Sequence, residues 1–324
     1  MDNLTHTLLG AALAESGLRR KTPLATATLL IGANLPDVDG ILYWVARPDL
    51  AYGFRRGWTH GVLTLAVWPF VLTAAMLAWD RWVRGRRHPD AKPAVGATLL
   101  WLALLAVCTH LLLDWFNTYG IRWLMPFSRR WFYGDVLFIV DPWVWLALGV
   151  GWWASRRRRA SGAPGAGRPA RWALAVAGAY VLLTGLSGVA AREVARDALA
   201  TRGYAPTRVM AGPEPLTPFR RQIVADVGPG YVLGTVDWLR RPRFVADGSL
   251  IQKGDGASEV AAAERTPQGE AFIHWARFPF FVVERGPTGT VVRMVDARYT
   301  LDPDARFGTL SVPVGALSVA LPAR

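Results

Sequence analysis

The run 94–116, AVGATLLWLALLAVCTHLLLDWF, holds one histidine and one acid, His110 and Asp114, in a segment otherwise free of formal charge. About 20 apolar residues suffice for a helix to cross the hydrocarbon of a bilayer, so this run reads as a membrane span. Runs 61–79 and 172–191 carry no formal charge at all and read the same way. Two further segments are apolar but interrupted: 136–153 by Asp141–Pro142, and 24–46 by NLPDVDG at 34–40. Both are expected to be membrane-embedded and broken. Segment 4–18 is too short for an ordinary span and is expected to be re-entrant or packed against the others.

The composition agrees with lipid as the medium for part of the chain. Of the 324 residues 52% are hydrophobic, and 16 are Trp; the mean hydropathy is +0.20. Trp44, Trp58, Trp79, Trp82, Trp123, Trp152, Trp153 and Trp172 lie near the ends of apolar runs, where indole rings anchor at the membrane–water interface. A formal net charge of +13 raises the question of nucleic acid. The Arg residues, however, fall in short clusters between apolar runs and form no single basic face, which argues against direct nucleic-acid contact and for anionic lipid.

Loop charge sets the expected orientation. Loop 80–93 carries Arg81, Arg84, Arg86, Arg87 and Lys92, and loop 154–171 carries the run Arg156–Arg159 with Arg168 and Arg171. These loops and RRK at 19–21 are expected in the cytoplasm, and loops 47–60 and 119–135 outside. The N-terminal stretch begins with an acid and places its basic residues after the apolar part, so no cleavable signal is expected. Cys108, the single cysteine, excludes an intrachain disulfide and a Cys-based metal site.

The character changes after 191. Residues 192–324 contain Pro and Gly punctuation and short β-rich runs such as AFIHWARFPFFVVE (271–284) and TVVRMVDARYTL (290–301). The fold class expected is therefore an α-helical multi-pass membrane domain (1–191) followed by a smaller, mainly β extramembrane domain (192–324), extracytoplasmic by the loop charges. Segment 159–170, RASGAPGAGRPA, is expected to be a flexible cytoplasmic linker.

Three of the five histidines share a Thr-His context beside or within apolar segments: LTHTLLG (His6), GWTHGVL (His60) and CTHLLLD (His110). Asp37 and Asp39 follow Pro36, where a helix breaks and leaves carbonyls and acids facing a cavity. The i, i+4 spacing puts His110 and Asp114 on one helix face. Ionisable groups at membrane depth are costly and are retained for function. With residue 23 on the cytoplasmic side, Asp37 stands roughly 21 Å up its segment and His110 roughly 24 Å up its own, at the helical rise. His60, Asp114, Asp135, Asp141 and His6 fall at the same outer level.

Imidazole and carboxylate ligands without thiolate suit a divalent ion, zinc first among them, which activates water and polarises a carbonyl or phosphoryl oxygen. The expected metal set is His6, Asp37, Asp39, His60, His110 and Asp114, with Asp39 or Asp114 as catalytic base. His88 sits in a charged loop and His274 in an expected strand; both are read as outside the site. Arg277 and Arg298 are weighed as cations facing an anionic head group, against ordinary exposed arginines.

Together LTHTLLG, GANLPDVDG, RGWTHG and THLLLDWFNTYG resemble the YdjM-like inner-membrane family over about residues 1–190. Part of that family is described as LexA-regulated or LexA-binding. The resemblance implies a multi-pass protein of the bacterial inner membrane, a divalent metal and hydrolase activity. It carries over the six residues named above, with Asn34 and Asn117 as groups supporting the ligands, and it supplies no substrate.

The reading preferred is a membrane-embedded metal-dependent hydrolase whose site lies near the outer leaflet and cleaves an ester or phosphodiester, the depth pointing to a lipid or lipid-linked substrate. The alternatives are an ion-handling transporter and a non-catalytic scaffold or regulator stapled by metal. A carrier should place polar groups in the cytoplasmic half as well, and a staple should close all four metal positions with protein ligands.

Overall fold

The computed structural model describes residues 1–41, 53–54, 56–241, 243–287 and 289–315. Its contacts divide the chain into two compact units, one of Met1–Gly40, Arg56–Gly188 and Gly212–Pro218, the other of Ile41–Arg55, Val189–Ala211 and Phe219–Arg324.

The first unit is helical. Helix α1 (Asn3–Glu15) begins where the Asp2 carboxylate accepts the amides of Leu4 and Thr5, each at 3.0 Å. Helix α2 (Ala25–Gly32) is short and gives way to a 3₁₀ turn, Leu35–Ile41, at NLPDVDG. That is the expected break: Pro36 has no amide to donate and the chain leaves the α path. Helix α3 (Val62–Trp79) absorbs Pro69 and runs on through a π turn to Arg87. Helix α4 (Gly96–Trp115) is formed by the apolar run that carries His110 and Asp114. Helix α5 (Pro142–Ala160) starts with Pro142 at its first position, Asp141 capping the amides of Trp143 and Val144. Helix α6 spans Arg168–Ala200.

Val62–Arg87, Gly96–Trp115 and Arg168–Ala200 are each long and apolar enough to cross a membrane. Their outward positions remain apolar: Phe70, Leu182, Leu183 and Leu186 are all more than half exposed. In water such a belt would be a liability, and in lipid it is the favourable surface.

Two close approaches position the site. A Cβ on Gly10 would lie 2.8 Å from the Leu29 carbonyl oxygen, and one on Gly32 would lie 2.8 Å from the Ala106 methyl. The missing side chains let α1 meet α2, and α2 meet α4, at backbone distance, as small residues do between membrane helices. Ala14, Ala25, Leu29, Leu102 and Ala106 fill the rest of that three-helix seam.

The second unit is mainly β. Strands β1 (Arg208–Pro213), β2 (Arg220–Asp226), β3 (Gly230–Asp237) and β4 (Phe244–Ala246) form a sheet in that order, with β5 (Ile251–Gln252) also on β3. Strands β6 (Pro279–Gly286), β7 (Gly289–Asp296) and β8 (Thr309–Val314) form an antiparallel sheet. Alternation divides the first sheet's side chains: Val209, Ile223, Ala225, Val232 and Val236 pack on Ala191, Ala195 and Leu199 of α6, while Met210, Val224, Tyr231 and Leu233 pack on Phe278, Phe280 and Val295.

Two expectations need correction. Residues 271–275 are not strand: helices α7 (Ser258–Glu264) and α8 (Pro267–Trp275) precede β6, and α8 starts with Thr266 capping the Gly269 amide and Pro267 in its first turn. The strand begins only at Pro279. The stretch 159–170 is no extended linker either, because α5 continues to Ala160 and α6 begins at Arg168. The turn between them is packed, with Ala166 buried and Gly167 so close that a Cβ would lie 2.7 Å from the Glu15 carbonyl oxygen.

Candidate metal centre

His6 comes from α1, Asp37 from the 3₁₀ turn after α2, His60 from the turn before α3, and His110 and Asp114 from one face of α4. Ligating atoms of Asp37, His60, His110 and Asp114 all lie within 4.8 Å of one another, a group that could hold a metal ion. His60 Nε2 is 3.0 Å and His110 Nε2 3.4 Å from Asp114 Oδ2, and the same nitrogens are 3.7 and 3.9 Å from Asp37 Oδ1. His6 lies beside them, Nε2 3.4 Å from Asp114 Oδ1, its ring stacked on that of His110 with centroids 3.9 Å apart. All three histidines and Asp114 are fully buried.

Hydrogen bonds on the far side fix the tautomers. His110 Nδ1 lies 2.7 Å from the Ala33 carbonyl oxygen, which can only accept, so Nδ1 carries the proton and Nε2 is bare. The Thr59 hydroxyl donates its one proton to Asp39 Oδ2 at 2.5 Å and sits 2.8 Å from His60 Nδ1. Toward His60 it can therefore only accept, and His60 Nε2 is bare as well. With both rings neutral, two bare nitrogens then face each other at 3.2 Å, an arrangement that a cation between them would relieve. Nitrogens sharing a tetrahedral zinc stand roughly 3.4 Å apart. Asp37 Oδ1 and both His6 nitrogens are also buried without a hydrogen bond. The donor set and its unsatisfied atoms fit a divalent ion.

Asp39 stands behind His60, not beside its Nε2. Its Oδ2 is 3.5 Å from His60 Nδ1 and accepts the Arg56 amide at 3.0 Å. Asn34 donates to Thr7 Oγ1 and to the Leu30 carbonyl, tying α1 to α2. Asn117 is fully buried; its side-chain oxygen accepts the Tyr119 amide. Asp135 is buried, and Asp141, the cap of α5, accepts the Tyr180 hydroxyl; neither is in the metal-holding group.

Sequence reasoning missed Arg56. It is 5% exposed, its Nη1 lies 2.6 Å from Asp114 Oδ2, and its guanidinium lies over the Tyr119 ring. Its backbone is left-handed, with φ of 52°, an unusual state for a side chain of this size and one that the fold retains at functional positions. The Met1 ammonium also contacts Asp114. The available signal was the motif RGWTHG itself, in which Arg56 opens the turn that ends at His60.

The remaining candidates lie elsewhere. His88 is exposed, and His274 is in α8. Arg298 is 4% exposed and engages Asp296 at 2.7 Å, stacked between Trp275 and Tyr299, so it presents no charge to an outside anion.

The comparisons with known proteins cover the segment in which this cluster lies. The YdjM inner membrane protein family matches residues 1–191, the segment that contains every residue of the cluster. The chain is similar to the uncharacterised protein YfhP of Bacillus subtilis (strain 168), 26% identical over 159 residues covering 45% of this chain and 44% of that protein. It thus spans less than half the length of that relative. No solved structure matches. With a match over more than half of its length, three helices able to cross a membrane and a buried His/Asp cluster inside the matched segment, the chain belongs to the YdjM inner membrane protein family.

Proposed function

We propose that this protein is a membrane-embedded metal-dependent hydrolase. The observation that carries the reading is the pair of imidazole Nε2 atoms 3.2 Å apart, backed by two carboxylates and held from behind by Ala33 and Thr59. His60, His110, Asp37 and Asp114 would hold the ion, with His6 as a further imidazole; the imidazole-rich set favours zinc. When bound, a divalent cation supplies Lewis acidity, lowering the pKa of a water and polarising an ester or phosphoryl oxygen.

The chain's own residues do the rest. Asp39, through Thr59, holds His60 in the tautomer that presents Nε2, the support that metal-bound histidines generally have. Asp37 is the least buried side chain of the group, 7% exposed against 0% for Asp114, and is the carboxylate best placed to take a proton from water. Arg56 sets a positive charge beside Asp114, where negative charge would build on a cleaved ester. Placement at the end of α4, a membrane span, favours a lipid or lipid-linked ester or phosphodiester as substrate.

The test is metal content of the purified protein, wild type against His110→Ala and Asp37→Ala. About one ion per chain is expected in the wild type, with loss in both variants. Unchanged content in both would sink the ligand assignment.

A further inference from the structure

Two adjoining cavities lie in the first unit, the larger at the opposite end of α1 from His6 and the second running back along α1 to Leu4. The larger, about 500 Å³, is lined by Arg19, Arg20, Lys21, Arg159 and Arg171 with one acid, Glu15. Glu15 is engaged by Arg159 at 2.8 Å, so most of the positive charge of this cavity has no carboxylate in it. The second, about 450 Å³, shares Glu15, Arg19 and Arg159 with the first and continues from it. It is lined by Leu4, Leu8 and Ala11 of α1, Leu30 of α2 and Trp152 of α5, so its floor is one stripe of α1 left uncovered between two neighbouring helices. Arg156 stands on its edge.

We infer that this paired cavity binds one anionic glycerophospholipid, its phosphate among the arginines and one acyl chain along the α1 groove. Dimensions and charge both support that occupant. From Leu4 to Glu15 the helix rises roughly 16 Å, about half the ~30 Å hydrocarbon thickness, which is the depth that one acyl chain of one leaflet fills. A free phosphate would satisfy the basic cavity and leave the groove empty. A neutral lipid would fill the groove and leave the cations without a counter-charge. Guanidinium groups suit a phosphate because their forked donors match its oxygens. The site shares no residue with the metal group, so the inference stands apart from the hydrolase reading.

The full chain in neutral detergent is titrated with phosphatidylglycerol, with phosphatidylcholine of the same chains, and with glycerol phosphate, followed by calorimetry. Saturable binding of one phosphatidylglycerol, at least tenfold tighter than either other ligand, is the expected result. Arg159→Gln strips Glu15 of its partner and can cost folding, so the charge test uses the exposed pair Arg20→Gln and Arg171→Gln. That double variant should lose about tenfold in phosphatidylglycerol affinity. Thr26→Trp, at an exposed position on the groove wall, should block the acyl chain and weaken phosphatidylglycerol while leaving glycerol phosphate unchanged. Equal binding of the two lipids overturns the inference. So does glycerol phosphate binding as tightly as phosphatidylglycerol, or a Thr26→Trp protein that binds phosphatidylglycerol normally.

Discussion

At the scale of single residues, the site rests on donors whose far sides are already committed. Three Thr-His pairs were legible because a shared local context in apolar surroundings is a stronger signal than any one histidine. In one of them the threonine has a visible reason to be there: Thr59 passes the hold of Asp39 on to His60. Arg56 was not legible in the same way, since an arginine in a loop is ordinary; only the turn shows that it is buried against Asp114. Removing one partner of a buried ion pair costs about 3–5 kcal/mol because the other charge is left uncompensated. Arg56→Ala should therefore destabilise the metal-free protein strongly. A bound divalent cation supplies replacement charge to Asp114, so the loss should shrink when metal is restored. Thermal unfolding in detergent, with chelator and with added zinc, measures both; an equal loss in the two conditions would separate Arg56 from the metal centre.

At the scale of elements, close backbone approach decides the geometry. Gly32 touches Ala106, and both lie within one helical turn or so of site residues, Ala33 at the C-terminal end of α2 and His110 on α4. Gly32→Leu must push α2 away from α4. The cost expected of such overpacking is about 1–3 kcal/mol, and it should come with weakened metal binding because the Ala33 carbonyl that fixes His110 moves with α2. Metal content measured beside the melting temperature distinguishes a loosened seam from a general loss of fold.

The break at NLPDVDG was legible from Pro36, whereas α8 was not, because AFIHW has the apolar content of a strand and only Thr266 and Pro267 just before it mark a helix start. Asp226, at the end of β2, shows how charge pins the sheet. Burial alone would raise its carboxyl, but hydrogen bonds from Arg208 and Lys253, each at 2.9 Å, and from the Gly228 amide outweigh that and hold it below the usual carboxylate range. Its contribution is thus complete above an unfolded value of about 4 and is lost as pH falls through the lower folded value. Asp226→Asn should cost about 1–3 kcal/mol at neutral pH and flatten the acid limb of stability. Protection of β2 and β3 amides against hydrogen exchange in the full chain, corrected for intrinsic rates, reads out both effects; an acid limb as steep as in the wild type would refute the assignment.

At the scale of the molecule, the sequence carries a charge asymmetry that the folded chain does not by itself orient. Apolar length made the three candidate spans legible, because lipid favours a helix with Phe70 or Leu182 turned outward. Sidedness is a property of the membrane and its potential, and must be argued from the loops. Arg81, Arg84, Arg86 and Arg87 follow α3, and Arg156–Arg159 end α5, so the positive-inside bias would put both at the cytoplasm. Continuous helix α6 (Arg168–Ala200) starts beside the second cluster and, as a single span, must deliver its C-terminal end to the opposite side. Every residue after 200 would follow it, and the β unit would be extracytoplasmic. An alkaline phosphatase fused after Arg324 should then be active and a green fluorescent protein at the same position dark, with the reverse pair of signals for fusions after His88. The opposite pattern would place the turn containing His60 and the start of α5 on the cytoplasmic side, and the proposed lipid ester would have to be drawn from the inner leaflet.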